Sequence, residues 1–346
     1  MSFSGVDQFI ETAIQNKELP GAVLVVANAK DVVYCKAFGM AHIEEQIPMS
    51  EHTIFDCASL TKVAATASSV LLLLEQGFID LDDSISYYFP ELILRHEEVR
   101  IRHLLTHTSG FQAEIKFYKE QIANKEIVER IAQETGRKNV EQQVIYSDVN
   151  YILLGKLIEK VTGISLEDYA HKNIFQPLRM QNTQFNPSVR LRGKIAATEY
   201  RPYLNKHQWG DVHDENALHF GGVSGHAGLF STAEDLARFA QSFMKNNDSI
   251  FKEHTKQLAK RSFTEQHLEQ RGLGWQLYSS PSFSGQYLRD GFGHTGFTGT
   301  SIWISDEKQL VIILLTNRVH FGRSCEIQRF RRIVHNLVAL ENEEVR

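Results

Sequence analysis

Apolar positions recur at helical spacing over residues 6–16, and Pro20-Gly21 then breaks the chain. Apolar, β-branched runs follow over residues 22–27 and 32–38. They flank Asn28-Ala29-Lys30-Asp31, so they predict a hairpin. From Ser59 the spacing turns helical again through Val63, Ala67, Val70, Leu71 and Leu74, with Gly77 where a C-terminal cap belongs. Small residues on its other faces (Ala64, Ala65, Thr66, Ser68, Ser69) predict a helix packed all round.

Downstream, Asp80-Leu81-Asp82-Asp83 reads as a turn into a short helix stopped by Pro90. Helical pieces are expected at residues 101–105, at 126–134 with Gly136 as cap, at 149–161 ending on Gly163, and at 165–175. Residues 182–225 read as irregular. Ser231-Thr232-Ala233-Glu234 reads as a capping box for a helix to about residue 245. The pattern then changes to strands at 273–278, 300–304 and 310–315, and a helix over 325–340 closes the chain. Strands at both ends and helices between predict an α+β fold. Residues 1–55 and 263–346 would form a sheet-containing lobe with an antiparallel sheet and terminal helices, and 56–262 an inserted, mainly helical lobe. The cleft between lobes is the expected site.

Composition removes several classes. At 346 residues the chain is long enough for two lobes, and 42% hydrophobic with 23% charged residues is ordinary for a globular protein. A net charge of −5 leaves no nucleic-acid footprint. The cluster Arg329, Arg331 and Arg332 reads as a solvated helix face. Three cysteines, Cys35, Cys57 and Cys325, are too few and odd in number for a disulfide framework, and Cys57 reads as a small buried apolar residue. The first ten residues have no basic stretch followed by an apolar run, and the run at 70–74 is too short to cross a bilayer. A cytoplasmic protein without a membrane span is the expectation.

Ser59-Leu60-Thr61-Lys62 carries the first chemistry. Residues three apart share a helix face, so serine and lysine can enter one cavity, and a helix N-terminus favours an oxyanion. Ser-x-x-Lys occurs four times, at Ser59, Ser242, Ser249 and Ser305, but only Ser59 begins a buried helix. A serine hydroxyl needs a base. Lys62 serves if burial lowers its pKa; Tyr146, on a loop before the helix at 149–161, serves if a cationic lysine stabilises its phenolate. The third element is Gly293-His294-Thr295-Gly296-Phe297-Thr298-Gly299-Thr300, whose glycines allow close backbone approach to a ligand.

Ser59-x-x-Lys62, then Tyr146-Ser147-Asp148, then His294-Thr295-Gly296, in that order, resembles the serine β-lactamase and penicillin-binding-protein-like superfamily, in its class C and esterase branch. Phe55-Asp56-Cys57-Ala58 and the run from His103 to Gly110 support it, and the likeness spans residues 20 to 340. The resemblance implies an acyl-enzyme mechanism. Ser59 attacks, Lys62 and Tyr146 move the proton, and the backbone N–H groups of Ser59 and Phe297 hold the oxyanion. Asp148, His294, Thr295 and Gly296 are then substrate-binding, with no metal and no organic cofactor. Asp148 replaces the usual asparagine and His294 the usual lysine, as in esterase and peptidase members. The stretches Val212-His213-Asp214-Glu215-Asn216-Ala217 and 221–231 look like a subgroup acting on cell-wall fragments, including amidases that cut N-acetylmuramyl from L-alanine. His213 and Asp214 would shape that pocket, and the partner is a small molecule or peptidoglycan fragment.

Other readings are weaker. His213, Asp214, His219 and His226 cluster in sequence but lack a His-Glu-x-x-His pair. Gly222-Val223-Ser224-Gly225-His226 misses the nucleophile elbow at its last position. A non-catalytic binding protein on the same fold is the remaining rival.

Overall fold

The computed structural model describes residues 3–245, 247 and 250–344. Ser249, one of the Ser-x-x-Lys serines, lies outside the described residues. Helix α1 (Ser4–Gln15) leads into β1 (Gly21–Ala27), β2 (Val32–His42) and the short β3 (Ile47–Pro48). The sheet is completed from the C-terminal part by β4 (Gln276–Leu277), β5 (Phe292–Thr295), β6 (Ser301–Ser305) and β7 (Leu310–Thr316). The strand order is β3-β2-β1-β7-β6-β5-β4, so the two ends of the chain join where β1 pairs antiparallel with β7, Val23 opposite Leu315.

Successive side chains of a strand point to opposite faces, and here both faces are covered. Val23 and Val25 pack into the core shared with the helices, while Ala22, Leu24 and Val26 pack against Val6, Ile10, Val334 and Val338 of the terminal helices. That is why β1 shows no alternation of polar and apolar residues.

A long helix runs from Ala58 to Glu75 (α2) and is wound in three ways. It has a 3₁₀ turn (Ala58–Leu60), a wide π segment (Lys62–Ala67) and an α segment (Ser68–Glu75). Among the described residues it alone is long and apolar enough to span a bilayer, but 83% of it is buried inside the fold, so its apolar surface faces core. A second buried helix, α3 (Asp148–Thr162), ends at Gly163 with φ +75°, as expected. A Cβ on Gly225 would sit 1.9 Å from the Tyr151 carbonyl oxygen, so glycine is what lets the 225–226 backbone lie against α3.

Several details differ from expectation. The helix at Ile127–Ala132 stops four residues before Gly136, which caps nothing. The cap of α4 (Ala233–Ser242) is Thr232, accepting from the Asp235 N–H, and not Ser231. A helix at Glu253–Lys260 was not foreseen, and the expected strand at 273–278 shrinks to Gln276–Leu277 because Gly274, at φ +88°, turns the chain. The irregular 182–225 stretch carries short strands and the helix Glu215–His219. The last helix, α5 (Gln328–Glu344), begins three residues late.

Candidate active site

Ser59 sits in the first turn of α2, and the residue before it is strained. Ala58 has φ +46°, a left-handed conformation that costs a non-glycine residue about 1–2 kcal/mol. The buried Asp56 carboxylate holds this kink. It accepts from the Ala58 N–H at 2.8 Å and from the His213 N–H at 2.6 Å. Burial raises the pKa of Asp56, with those N–H groups and His213 pulling the other way. From the other side, the Thr298 and Thr300 hydroxyls donate to the carbonyls of Asp56 and Cys57 at 2.7 and 3.0 Å. The third motif is thereby fixed against the nucleophile. Among the described residues no acceptor takes the N–H of Ser59 or of Phe297, and both residues line the same cavity of about 500 Å³.

Lys62 is fully buried. Its ammonium lies 3.1 Å from Ser59 Oγ, 3.1 Å from the His226 carbonyl oxygen and 2.7 Å from Asp148 Oδ1. Burial by itself would lower its pKa, but the Asp148 carboxylate and Tyr146 outweigh it and the net shift is upward. Lys62 is therefore a cation at neutral pH, so the condition under which it would serve as the base, a pKa lowered by burial, is not met, and the condition for Tyr146, a cationic lysine beside it, is. Asp148 is part of the reason: it stands against the lysine rather than offering an amide to substrate, although it also lines the cavity.

Tyr146 lies between two cations. Lys62 Nζ is 4.9 Å from its ring centroid and the Arg271 guanidinium 5.4 Å. Its loop is set by His107, whose Nδ1 accepts from the Ser147 N–H at 3.0 Å and whose ring lies 4.6 Å from that of Tyr146. Burial, with Arg271 and Lys62 adding to it, holds His107 well below the ordinary histidine value, so it is a neutral acceptor.

His294 is placed differently from the reading that had it face substrate. It is 3% exposed, lies beneath Tyr146 at 5.9 Å between ring centroids, and does not line the cavity. Its Nδ1 is 2.9 Å from the Thr295 carbonyl oxygen. Burial, with Arg271 and Lys62, keeps it neutral well below its usual pKa. Thr295 and Gly296 do line the cavity.

His213 and Asp214 are both brought to the cavity. The His213 ring stacks on Phe297 at 5.7 Å, and its Nε2 is 2.9 Å from Glu199. Asp214 accepts from the Ala217 N–H and pairs with His226 Nε2 at 2.8 Å. Burial opposes its charge, but His226 prevails and holds the carboxyl well below the usual range. Ser224 Oγ lies 2.8 Å from His226 Nδ1, so Ser224, His226 and Asp214 form a chain. Ser224 does not line the cavity. The chain orients His226, whose carbonyl receives Lys62. Asp148, Asp214 and His226 bring ligand atoms within 4.8 Å of one another, and the cation beside them is the Lys62 ammonium. His219 stands apart, with Nε2 2.9 Å from the Ile122 carbonyl oxygen.

Two residues were missed, Arg271 and Arg331. Arg271 has no sequence signal. Arg331, expected on a solvated face, is 2% exposed and donates to the carbonyls of Gly296 and Thr300 at 3.0 and 2.9 Å; burial lowers its pKa to about 9. Arg318 covers the Phe297 ring at 4.7 Å. Ile327, Phe330 and Val334 mark the face of α5 that packs on the sheet, and Arg331 lies on that same face, four residues from Ile327 and three from Val334.

A serine beside a buried lysine and a tyrosine flanked by cations, under two open N–H groups at the edge of an antiparallel sheet, defines a serine hydrolase of the penicillin-binding type. The chain belongs to the beta-lactamase family, whose model matches residues 6–335. It is 33% identical to an N-acetylmuramyl-L-alanine amidase of Bacillus subtilis (strain 168), over 91% of this chain and 80% of the relative. A putative D-alanyl-D-alanine carboxypeptidase of Escherichia coli (strain K12) is 32% identical over 87% of this chain and 79% of its own length. The octameric penicillin-binding protein homologue from Pyrococcus abyssi superposes with a TM-score of 0.80 at 25% identity, covering 99% of this chain and 78% of the other.

Proposed function

We propose that the protein cleaves the amide between the lactyl group of N-acetylmuramic acid and the first amino acid of a peptidoglycan fragment. The observation that carries this reading is the cavity itself. Ser59 opens into a space of about 500 Å³ lined by hydrogen-bonding groups of both signs, among them Glu114, Glu215, Arg318 and Arg323. Such a wall suits a sugar with a peptide carboxylate better than an apolar ester. The similarity to the Bacillus subtilis amidase supports it.

In this mechanism Ser59 Oγ attacks the lactyl carbonyl carbon and gives its proton to the Tyr146 phenolate. The N–H groups of Ser59 and Phe297 stabilise the oxyanion. Lys62 and Arg271, both cations, stabilise that phenolate before the proton arrives and again after it has passed on. The proton passes from Tyr146 to the leaving amine, the C–N bond breaks, and a lactyl ester on Ser59 remains. Water, deprotonated by Tyr146, then hydrolyses that ester and restores the serine.

The test is incubation with N-acetylmuramyl-L-alanyl-D-isoglutamine, with both products followed by mass spectrometry. A D-alanyl-D-alanine peptide, a p-nitrophenyl ester and a chromogenic cephalosporin run in parallel. Release of N-acetylmuramic acid with kcat/KM at least about 100-fold above the D-alanyl peptide is expected. Preference for the D-alanyl peptide would assign the second relative's chemistry instead and overturn the proposal.

A further inference from the structure

Charged and titratable side chains from separate parts of the fold surround Tyr146. Lys62 comes from α2, Asp148 and Tyr151 from α3, and His294 from β5. His107 follows the helix Ile101–Leu105, and Arg271 lies opposite Gln276, the first residue of β4. Their charges differ in how far each is already matched. The Lys62 ammonium stands 2.7 Å from Asp148 Oδ1, so the carboxylate cancels much of its field at Tyr146. His107 and His294 are neutral. Burial comes first in holding both rings below the ordinary histidine value, and Arg271 acts on each more strongly than Lys62 does. The Tyr151 hydroxyl donates to the Leu105 carbonyl at 3.0 Å, and burial keeps it protonated.

Arg271 is the cation that remains. It is buried, and its guanidinium carbon lies 5.4 Å from the centroid of the Tyr146 ring. Its Nη2 donates to Glu269, whose side chain is 38% exposed, so solvent screens that pair. Its Nε and Nη1 are buried with no hydrogen-bond partner among the described residues. Buried N–H groups left unbonded are costly, which argues that the guanidinium is kept for its charge rather than for its hydrogen bonds. The backbone of Arg271 is pinned on both sides. Its N–H donates to Thr264 Oγ1 at 2.8 Å, and its carbonyl accepts from the Phe263 N–H at 2.8 Å.

We propose that Arg271 is the positioning residue that supplies the net positive charge at Tyr146, so that a phenolate forms there although Asp148 matches Lys62. Forming the phenolate releases one proton to water. A cation beside a phenol lowers the pH at which this happens. Removing Arg271 should therefore move the acid limb of kcat/KM to higher pH, and removing Glu269, which opposes it, should move the limb to lower pH. The inference rests on Tyr146 as the base and not on which amide or ester the protein cleaves.

The test measures kcat/KM on a p-nitrophenyl ester from about pH 5 to about pH 10, with the Tm of each variant. Failure of the amidase reading leaves this ester assay intact. Arg271→Gln should lose at least about 10-fold at about pH 7, with the acid limb about 1 unit higher or more and the loss shrinking at alkaline pH. Arg271→Lys, which keeps the charge, should hold the limb within about 0.5 unit. Adding Asp148→Asn to Arg271→Gln frees the charge of Lys62 and should recover at least about 3-fold at about pH 7. In a Tyr146→Phe background, Arg271→Gln should cost less than about 2-fold. A loss equal at every pH and not rescued by Asp148→Asn would make Arg271 structural and overturn the proposal. So would an undiminished loss in the Tyr146→Phe background. If Arg271→Gln does not fold, Glu269→Gln decides at an exposed side chain: a limb moved to lower pH supports the proposal, and an unmoved limb overturns it.

Discussion

Replacing Asp148 by asparagine tests whether Lys62 works as a cation. The two groups are 2.7 Å apart, and the Asp148 side chain is 26% exposed. At that distance their attraction is about 6 kcal/mol for an effective dielectric of about 20. Partial exposure to solvent reduces it to about 3 kcal/mol, roughly a hundredfold in the protonation equilibrium of Lys62. With the carboxylate in place, the folded protein holds the lysine proton more tightly than the unfolded chain does. That contribution is complete at neutral pH and is lost only as pH rises through the raised folded value. In Asp148→Asn, burial is no longer outweighed and the lysine proton leaves at lower pH. The assay is kcat/KM on a p-nitrophenyl ester from about pH 6 to about pH 10. The wild type should show no loss attributable to Lys62. The variant should approach wild-type activity at the acid end and gain a new descending limb on the alkaline side. A variant whose rate instead rises as its lysine deprotonates would show that neutral Lys62 is the base. An unchanged profile would show that Asp148 does not hold the charge.

Ser59→Ala should leave the melting temperature unchanged, abolish fluorophosphonate labelling, and lower turnover by several orders of magnitude, while Tyr146→Phe should lower kcat by about 10²–10⁴ with little change in KM. Labelling found on Ser224 would contradict the assignment. Gly225→Ala places a Cβ 1.9 Å from the Tyr151 carbonyl and should cost about 1–3 kcal/mol in urea denaturation. Because it also moves the His226 carbonyl off Lys62, activity should fall further than stability explains. His335 is fully buried, and burial with Arg331 nearby lowers its pKa to about 3, so the unfolded chain takes up this proton first. Stability should therefore fall as pH drops below about 6.5, by about 2 kcal/mol from this residue at about pH 5. His335→Leu should remove that part of the acid sensitivity, and denaturation at the two pH values checks it.

What could be read in the sequence is what neighbours in the sequence decide. The unbroken apolar run of β1, the helical repeat after Ser59 and the positive φ at Gly163 each follow from a few adjacent residues. So does the approach of Ser59 to Lys62, which one helical turn enforces. The polar contacts that set the chemistry join distant residues instead. Asp56 reaches His213 across 157 positions, and Lys62 reaches the His226 carbonyl across 164. No periodicity marks such pairs, because one buried charge needs only one partner and its location depends on topology.

The same logic explains the two residues whose roles changed. His294 was read as a substrate contact because it occupies the lysine position of the resembled motif. Strand pairing nevertheless sets it opposite Ile302 in the interior of the sheet, under Tyr146, where a charge would be expensive. The cationic edge of the cavity comes instead from Arg318, Arg323 and Arg331, in the turn and helix that follow β7. Arg331 looked like one of three solvated arginines, yet it alone faces the carbonyls of Gly296 and Thr300, while Arg329 stays exposed. A guanidinium buried against those carbonyls fixes the loop that presents the Phe297 N–H. Positive charge has thus moved from the third motif to the element packed behind it. There it holds the loop of Phe297 through the carbonyls of Gly296 and Thr300 and leaves Arg318 and Arg323 at the cavity wall.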